Sequence, residues 1–295
     1  MQIERILIAM PEPPAEVLSF LPEVEKALAS QGVASTAWRG NHTDQPPDPN
    51  NFDRVIVMGG DGALMGVLRA LDFPTVPFYG VNYGRVGFLM NPRSSATELV
   101  SRLIEGDCIE QKIPVLKAIF TIEDGNKGEI CAINDIVLER DSGQTVHLST
   151  YIDEELLNAY SGDGIIIATP AGSTAYSLAA CGPVVHPDVE AMVVTPLYAH
   201  RPVQFHSLQF PIVLPLTSRI RVVPENLNKR PLRLVADGVT VAGVVSVDVI
   251  DRGVPVNLLR PDDYGYIDSL VTRIIGRERS FDRDADEVED STQGP

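Results

Sequence analysis

The apolar positions of this chain follow two rhythms in turn. Residues 3–10 read as a buried strand, continuously apolar from Ile6 to Met10. In AEVLSFLPEVEKALASQG, Val17, Leu18, Leu21, Val24 and Leu28 recur near helical spacing, and Gly32 is placed to end the helix. Pro22 inside that stretch predicts a break or kink. VASTAW reads as a second strand, and GNHTDQPPDPNN, residues 40–51, as a loop. A strand at 55–58 follows, then the turn GGDG, a helix at 63–71 and a strand in VPFYGVN. SSATELVSRLIEGD reads as a short amphipathic helix capped by Ser94 or Ser95. Strands separated by helices predict a parallel sheet with helices on its faces.

Near Asp107 the rhythm changes. From Lys117 to about Leu259 the apolar runs are short and strand-like, and EDGNKGE is a hairpin signal. Only GSTAYSLAACG reads as helical there. DDYGYIDSLVTRIIG is helix-compatible, with Ile267, Leu270, Val271 and Ile274 on one face. Beyond Gly276 the chain is polar and predicts disorder. The resulting plan is an α/β domain at 1–107 and a β-rich domain at 108–259. A segment at 260–277 is expected to pack back on the first domain, and 278–295 is expected to be an acidic tail.

Composition narrows the function. The net charge is −16, which argues against nucleic acid or an anionic membrane as partner. Seven acids against two arginines beyond residue 277 supply −5 of it, so the body keeps −11. Cys108, Cys131 and Cys181 have neither zinc nor disulfide spacing, and a reducing cytoplasm is the simplest compartment. His42, His147, His186, His200 and His206 are scattered without metal-ligand spacing. The N-terminus reads as a strand rather than a signal peptide, and no apolar run is long enough to span a bilayer.

Three stretches carry candidate chemistry. Gly59, Gly60, Asp61 and Gly62 lie between a strand and a helix, where glycines let a phosphate chain approach and a helix N-terminus favours its charge. Asp61 could take a proton from an attacking hydroxyl or hold Mg2+; equally, it could cap the helix of a structural turn. In SGDGIIIATPAGSTAYSLAACGP, an apolar strand at 165–168 runs toward a helix that Ser173 or Thr174 can cap. Its small residues would also serve close packing. In AINDIVLER, Asn134 and Asp135 interrupt what reads as continuous strand, so a turn or a ligand contact is implied.

In this order the segments resemble an NAD kinase from Ile3 to about Gly276. The resemblance rests on GGDG at 59–62, YGVNYGRVGFL at 79–89 and AINDIVL at 132–138. GDGIIIATPAGSTAYSLAACGPVVHP at 162–187 and DDYGYIDSL at 262–270 complete it. GGDG alone is shared with lipid kinases; the long TPAGSTAYSL stretch is far more specific.

The resemblance implies an N-terminal α/β domain, a β-rich C-terminal domain and an active site in the cleft between them. It implies a homodimer or homotetramer that moves the terminal phosphoryl group of ATP, or of polyphosphate, to the adenosine-ribose 2′-hydroxyl of NAD. A divalent metal, Mg2+, is implied as well. Asp61 would be catalytic, with Gly59, Gly60 and Gly62 against the substrates. Asn134 and Asp135 would bind the adenosine part and Asp163 the dinucleotide. Thr174, Ala175, Tyr176, Ser177, Leu178 and Ala179 would line the adenine and ribose pocket, with His147, Ser161 and Tyr198 at further pocket positions. Four positions depart from the pattern: Ala63 for a Thr after GGDG, Asp135 for Glu, Ser161 for a cation, and Val239 for a Gln. A dinucleotide-binding sensor without catalysis and a GGDG lipid kinase are the rival readings.

Overall fold

The buried runs at 5–9, 54–59 and 78–82 become strands because each has apolar neighbours on both faces. The computed structural model describes residues 3–40, 45–84, 87–200 and 207–275. The acidic tail, His42 and His206 lie outside the described residues. In chain order the first elements are β1 Arg5–Ala9, α1 Ala15–Ser30, β2 Ala34–Trp38, β3 Arg54–Gly59, α2 Asp61–Ala70, β4 Phe78–Asn82, α3 Ala96–Glu105 and β5 Cys108–Ile113. β6 Leu116–Ile122, β7 Lys127–Ala132, β8 Asp135–Arg140, β9 Val146–Ile152, β10 Glu155–Gly162 and β11 Gly164–Ala168 follow. Next come α4 Tyr176–Ala179, β12 Ala191–Leu197, β13 Ile212–Pro215, β14 Ile220–Glu225 and β15 Leu232–Ala236. The unit closes with β16 Val239–Ala242, β17 Val244–Asp251 and β18 Val256–Pro261.

The first sheet has the order β2-β1-β3-β4-β18-β5. Its pairs are parallel except the last, where β5 runs antiparallel to β18. The sheet is therefore mixed rather than purely parallel. Residues 108–113 and 256–261 join it by pairing, although their sequence character matches the β-rich stretch. Side chains alternate between its faces. Leu7, Val55, Val57 and Phe78 meet Leu64, Val67 and Leu68 of α2 on one face. Ile6, Ile8, Ile56 and Met58 meet Val17, Val24 and Leu28 of α1 and Leu99, Val100 and Leu103 of α3 on the other. Each of these side chains, fully buried, contributes about 1.5–3 kcal/mol.

Helix α1 is continuous from Ala15 to Ser30 with Pro22 inside it, so the expected break does not occur. The buried stripe of Val17, Val24 and Leu28 outweighs one missing backbone bond. Ser95, not Ser94, caps α3: its hydroxyl accepts the Glu98 N–H at 3.2 Å.

The remaining strands form two antiparallel sheets, β10-β9-β14-β17-β6-β7 and β13-β12-β11-β8-β15-β16. They share one core that includes Leu116, Ile136, Leu138, Ile165, Ile167, Val194, Val222 and Val247. Asn134 does not lie inside a continuous strand. β7 ends at Ala132 and β8 begins at Asp135, and the two belong to different sheets. Apolar residues on both sides disguise this corner as one strand, because Ile133 and Ile136 are both fully buried, though in different cores. Residues from Asp263 form a second compact unit, with α5 at Tyr266–Leu270 and a π turn at Val271–Ile275.

Candidate active site

β3 delivers the glycine turn. The Gly59 carbonyl accepts the Tyr83 N–H at 2.7 Å, which carries the β3–β4 pairing past the strand ends. A Cβ on Gly59 would lie 2.5 Å from the Cβ of Ala63, so the turn can close only with glycine there. Gly60 is the N-cap of α2 and contributes no side-chain cap, leaving first-turn donors unclaimed by a cap. A Cβ on Gly62 would meet nothing within 4 Å. Packing therefore does not require glycine at 62, and its bareness leaves room on the open side of the turn.

Asp61 is the first residue of α2 rather than its cap. Its carboxylate turns across to the next loop and accepts the Phe88 N–H at 2.7 Å and the Leu89 N–H at 3.2 Å. Gly87 makes that approach possible, since a Cβ there would stand 2.5 Å from Asp61 Oδ1.

The same helix reaches the second motif. Residues 61, 65 and 69 are spaced by four and lie along one face. The Asn134 side-chain amide donates to Met65 Sδ at 3.4 Å, and Arg69 Nη2 donates to the Asp237 carbonyl at 3.0 Å. Asp237 adopts a left-handed φ of 44°. Its carboxylate accepts the N–H groups of Ile133, Asn134 and Asp135 at 2.8, 3.0 and 3.3 Å. From the other side the Thr169 N–H donates to the Asn134 carbonyl at 2.9 Å and the Thr169 hydroxyl to the Ile133 carbonyl at 2.5 Å. A Cβ on Gly172 would collide with that Asn134 carbonyl. Three separate stretches, around 134, 169–172 and 237, thus meet at one corner.

Asp135 is buried there and accepts the Tyr176 N–H. Burial, then the charges of Glu139, Tyr198, Asp135 and Asp163, raise the Tyr176 phenol, which places these groups in one neighbourhood. Asp163 pairs with Arg140 at 3.1 Å. Tyr198 is 80% exposed and holds a left-handed φ of 46°, uncommon for a bulky residue. The predicted helix of residues 172–182 is split into a 3-10 turn at Gly172–Thr174 and the four-residue α4. Neither Ser173 nor Thr174 is its cap. Their hydroxyls donate back to the Pro170 and Ala171 carbonyls, and Ala175 occupies the cap position. Ser177 shares a hydrogen bond with Thr195 at 2.8 Å, behind Leu178 and Ala179 on α4. Ser161 is buried, its N–H donating to Ser207 Oγ at 2.9 Å. His147 lies opposite Ser161 in the β9–β10 ladder, and burial, then Arg230, lowers its pKa.

Residues 17–108 match the family model described as the ATP-NAD kinase N-terminal domain, and residues 133–251 match that of the ATP-NAD kinase C-terminal domain. A protein of Ectopseudomonas mendocina named NAD kinase is 34% identical over 227 residues, 75% of each chain. One of Clostridium beijerinckii, with the same name, is 33% identical over 79% of this chain and 81% of its own. The chain belongs to the NAD kinase family. It is accordingly an enzyme, a phosphotransferase. Among solved structures, yeast NADH kinase complexed with NADH superposes with a TM-score of 0.78 at 23% identity, covering 96% of this chain and 90% of that one. An NAD kinase from Archaeoglobus fulgidus in complex with ATP gives 0.74 at 22% identity, covering 93% and 100%. These two share the fold.

Within this NAD kinase fold, α2 ties the corner holding Asn134 and Asp135 to the turn holding Asp61. Asp237 and Arg69 belong to the same corner, and hydrophobic periodicity does not single them out. The ADG triplet at 236–238 was the available signal, since an Asp before a Gly in a turn is suited to accept backbone donors.

The corner carries a titration. Burial first, and the Asp237 charge second, push the Asp135 carboxyl from 3.8 up to about 7, against the Tyr176 N–H. The native state thus holds a proton that the unfolded chain releases. Stability from this source is full below the unfolded value and is lost as pH rises from about 4 to about 7. Asp135→Asn abolishes the titration, so its melting temperature falls less than wild type across that window. Equal pH slopes in calorimetry would contradict the assignment.

Proposed function

We propose that the enzyme transfers the terminal phosphoryl group of ATP to the adenosine-ribose 2′-hydroxyl of NAD, giving NADP. The observation that carries this reading is α2, which holds Asp61 at its first turn and meets Asn134 and Asp237 at its second and third. A base and a nucleoside pocket are so fixed on one rigid element. In-line transfer needs positioning, charge neutralisation and an oriented nucleophile. Asn134, Asp135, Asp163, Tyr198 and residues 174–179 would seat the acceptor. The glycine turn and the N-terminus of α2 would face the phosphates. Asp61 would accept the 2′-hydroxyl proton as the oxygen attacks the γ-phosphorus, and the bond to the β–γ bridging oxygen breaks with its electron pair leaving on ADP.

Among the described residues no group of three or more His, Cys, Asp or Glu is placed to hold a cation. The donor set therefore does not fit a resident ion. One carboxylate beside a glycine turn does fit an ion that arrives on nucleotide phosphates. Mg2+ belongs to the ATP substrate in this reading and offsets phosphate charge that a body of net −11 would otherwise repel. Polyphosphate as donor, a homodimer or homotetramer, and a cytoplasmic location are further parts of the proposal, supported by the family and by three unpaired cysteines. No helix among the described residues is long and apolar enough to cross a membrane.

The test is purified protein with NAD, ATP and Mg2+, coupled to an NADP-specific dehydrogenase. NADP is expected to form, to cease with EDTA and to return with excess Mg2+. NAD binding without NADP would instead support a sensor, and phosphorylation of diacylglycerol a lipid kinase.

A further inference from the structure

We propose that Arg260 is a positioning residue for phosphoryl transfer, acting on Asp61 through the peptide group that joins Phe88 to Leu89. The proposal rests on the reading of Asp61 as the base. Arg260 lies on β18 and is only 2% exposed. Its guanidinium spends all three nitrogens on one loop and one neighbouring strand. Nη2 donates to the Phe88 carbonyl at 3.0 Å, Nη1 to the Leu89 carbonyl at 2.9 Å and to Asn91 Oδ1 at 3.2 Å, and Nε to Gln111 Oε1 at 2.9 Å.

The carbonyl of Phe88 and the N–H of Leu89 belong to the same peptide unit. That unit is planar and trans, so its C=O and N–H point in opposite directions. Arg260 holds the oxygen end, and Asp61 accepts from the nitrogen end at 3.2 Å. Fixing one end of a rigid plane aims the other. A charged donor on the oxygen also polarises the N–H toward the carboxylate. Gly87 at the start of this stretch brings no side chain to hold it, since a Cβ there would stand 2.5 Å from Asp61 Oδ1. Asn91, fully buried, adds a second tether from its side chain to the Leu259 carbonyl at 2.8 Å, beside Arg260 on β18. Arginine suits the task because its planar fork reaches two carbonyls at once, which a lysine cannot reproduce.

A residue that merely fastened the loop would lower stability and leave the chemistry alone. A residue acting through Asp61 must lose its effect once Asp61 is gone. The test is a double-mutant cycle in the full-length enzyme with Arg260→Gln and Arg260→Lys, each combined with Asp61→Asn. Wild-type NADP formation is established first, and its absence would count against the proposed function rather than against Arg260. In the Asp61 background kcat is expected to fall by about 10–100-fold, the scale of a misplacement near 1 Å. The NAD dissociation constant should stay within about twofold, since the Asn134 corner is untouched. In the Asp61→Asn background the same substitution should change the residual kcat by less than about twofold. Arg260→Lys carries the test if Arg260→Gln does not fold. The same fold-loss in both backgrounds, unchanged kcat in a folded variant, or a loss confined to NAD affinity would each overturn the proposal.

Discussion

Asp61→Asn is expected to lower kcat for NADP formation by about 10²–10⁴-fold, the contribution of a positioned general base, while NAD affinity stays nearly unchanged. The substitution keeps the shape of the side chain. Its amide oxygen can still accept one of the two N–H groups from Phe88 and Leu89, so the loop at 87–89 retains most of its anchoring. What disappears is the group able to receive the 2′-hydroxyl proton. NAD affinity is assigned to the corner that meets α2 a turn further on, where Asn134, Asp135 and Tyr176 stand. Steady-state kinetics and calorimetric titration with NAD separate the two effects. Near-normal turnover in the variant would remove Asp61 from the chemistry.

Asp237→Ala is expected to weaken NAD binding at least tenfold and to destabilise the fold by about 3 kcal/mol. The stability term follows from three N–H groups, those of Ile133, Asn134 and Asp135, losing the acceptor they share. Each part-buried donor left without a partner costs on the order of 1–3 kcal/mol, and water entering the vacated space recovers some of it. The binding term follows because those amides set the direction of the Asn134 and Asp135 side chains. Loss of the Asp237 charge also removes the second-largest cause of the upward shift at Asp135, so the pH-linked fall in stability moves to lower pH. Denaturant unfolding and NAD titration across pH measure all three effects. A variant with wild-type NAD affinity would show that the corner folds correctly without its carboxylate clamp.

The fold was legible wherever a local pattern and a buried face coincide. β3 stands where its apolar run puts it, and α2 follows it as expected but starts two residues early, at Asp61 inside the glycine motif, with Gly60 as its cap. The corner at Asn134 reads in sequence as either turn or strand because Ile133 and Ile136 are buried on either side of it, in two different cores; the structure makes it a turn. Burial looks the same in sequence whether or not the chain turns between. Ser173 and Thr174 misled as caps because a hydroxyl can bond back to a carbonyl three residues earlier as readily as forward to an amide. Asp237 and Arg260 were silent for a different reason. Each works on main-chain groups about a hundred or more positions away, and backbone donors and acceptors leave no residue-type signature. In the sequence Ala63 registers only as a missing hydroxyl. The fold adds that its Cβ faces Gly59, so this position also closes the glycine turn.

Phosphorus NMR of the product formed from NAD and ATP tests directly which hydroxyl receives the phosphoryl group. A new phosphomonoester coupled to the ribose 2′ proton, absent when 2′-deoxy-NAD replaces NAD, is the result expected. A phosphomonoester on another oxygen, or the same signal from the 2′-deoxy compound, would contradict the account.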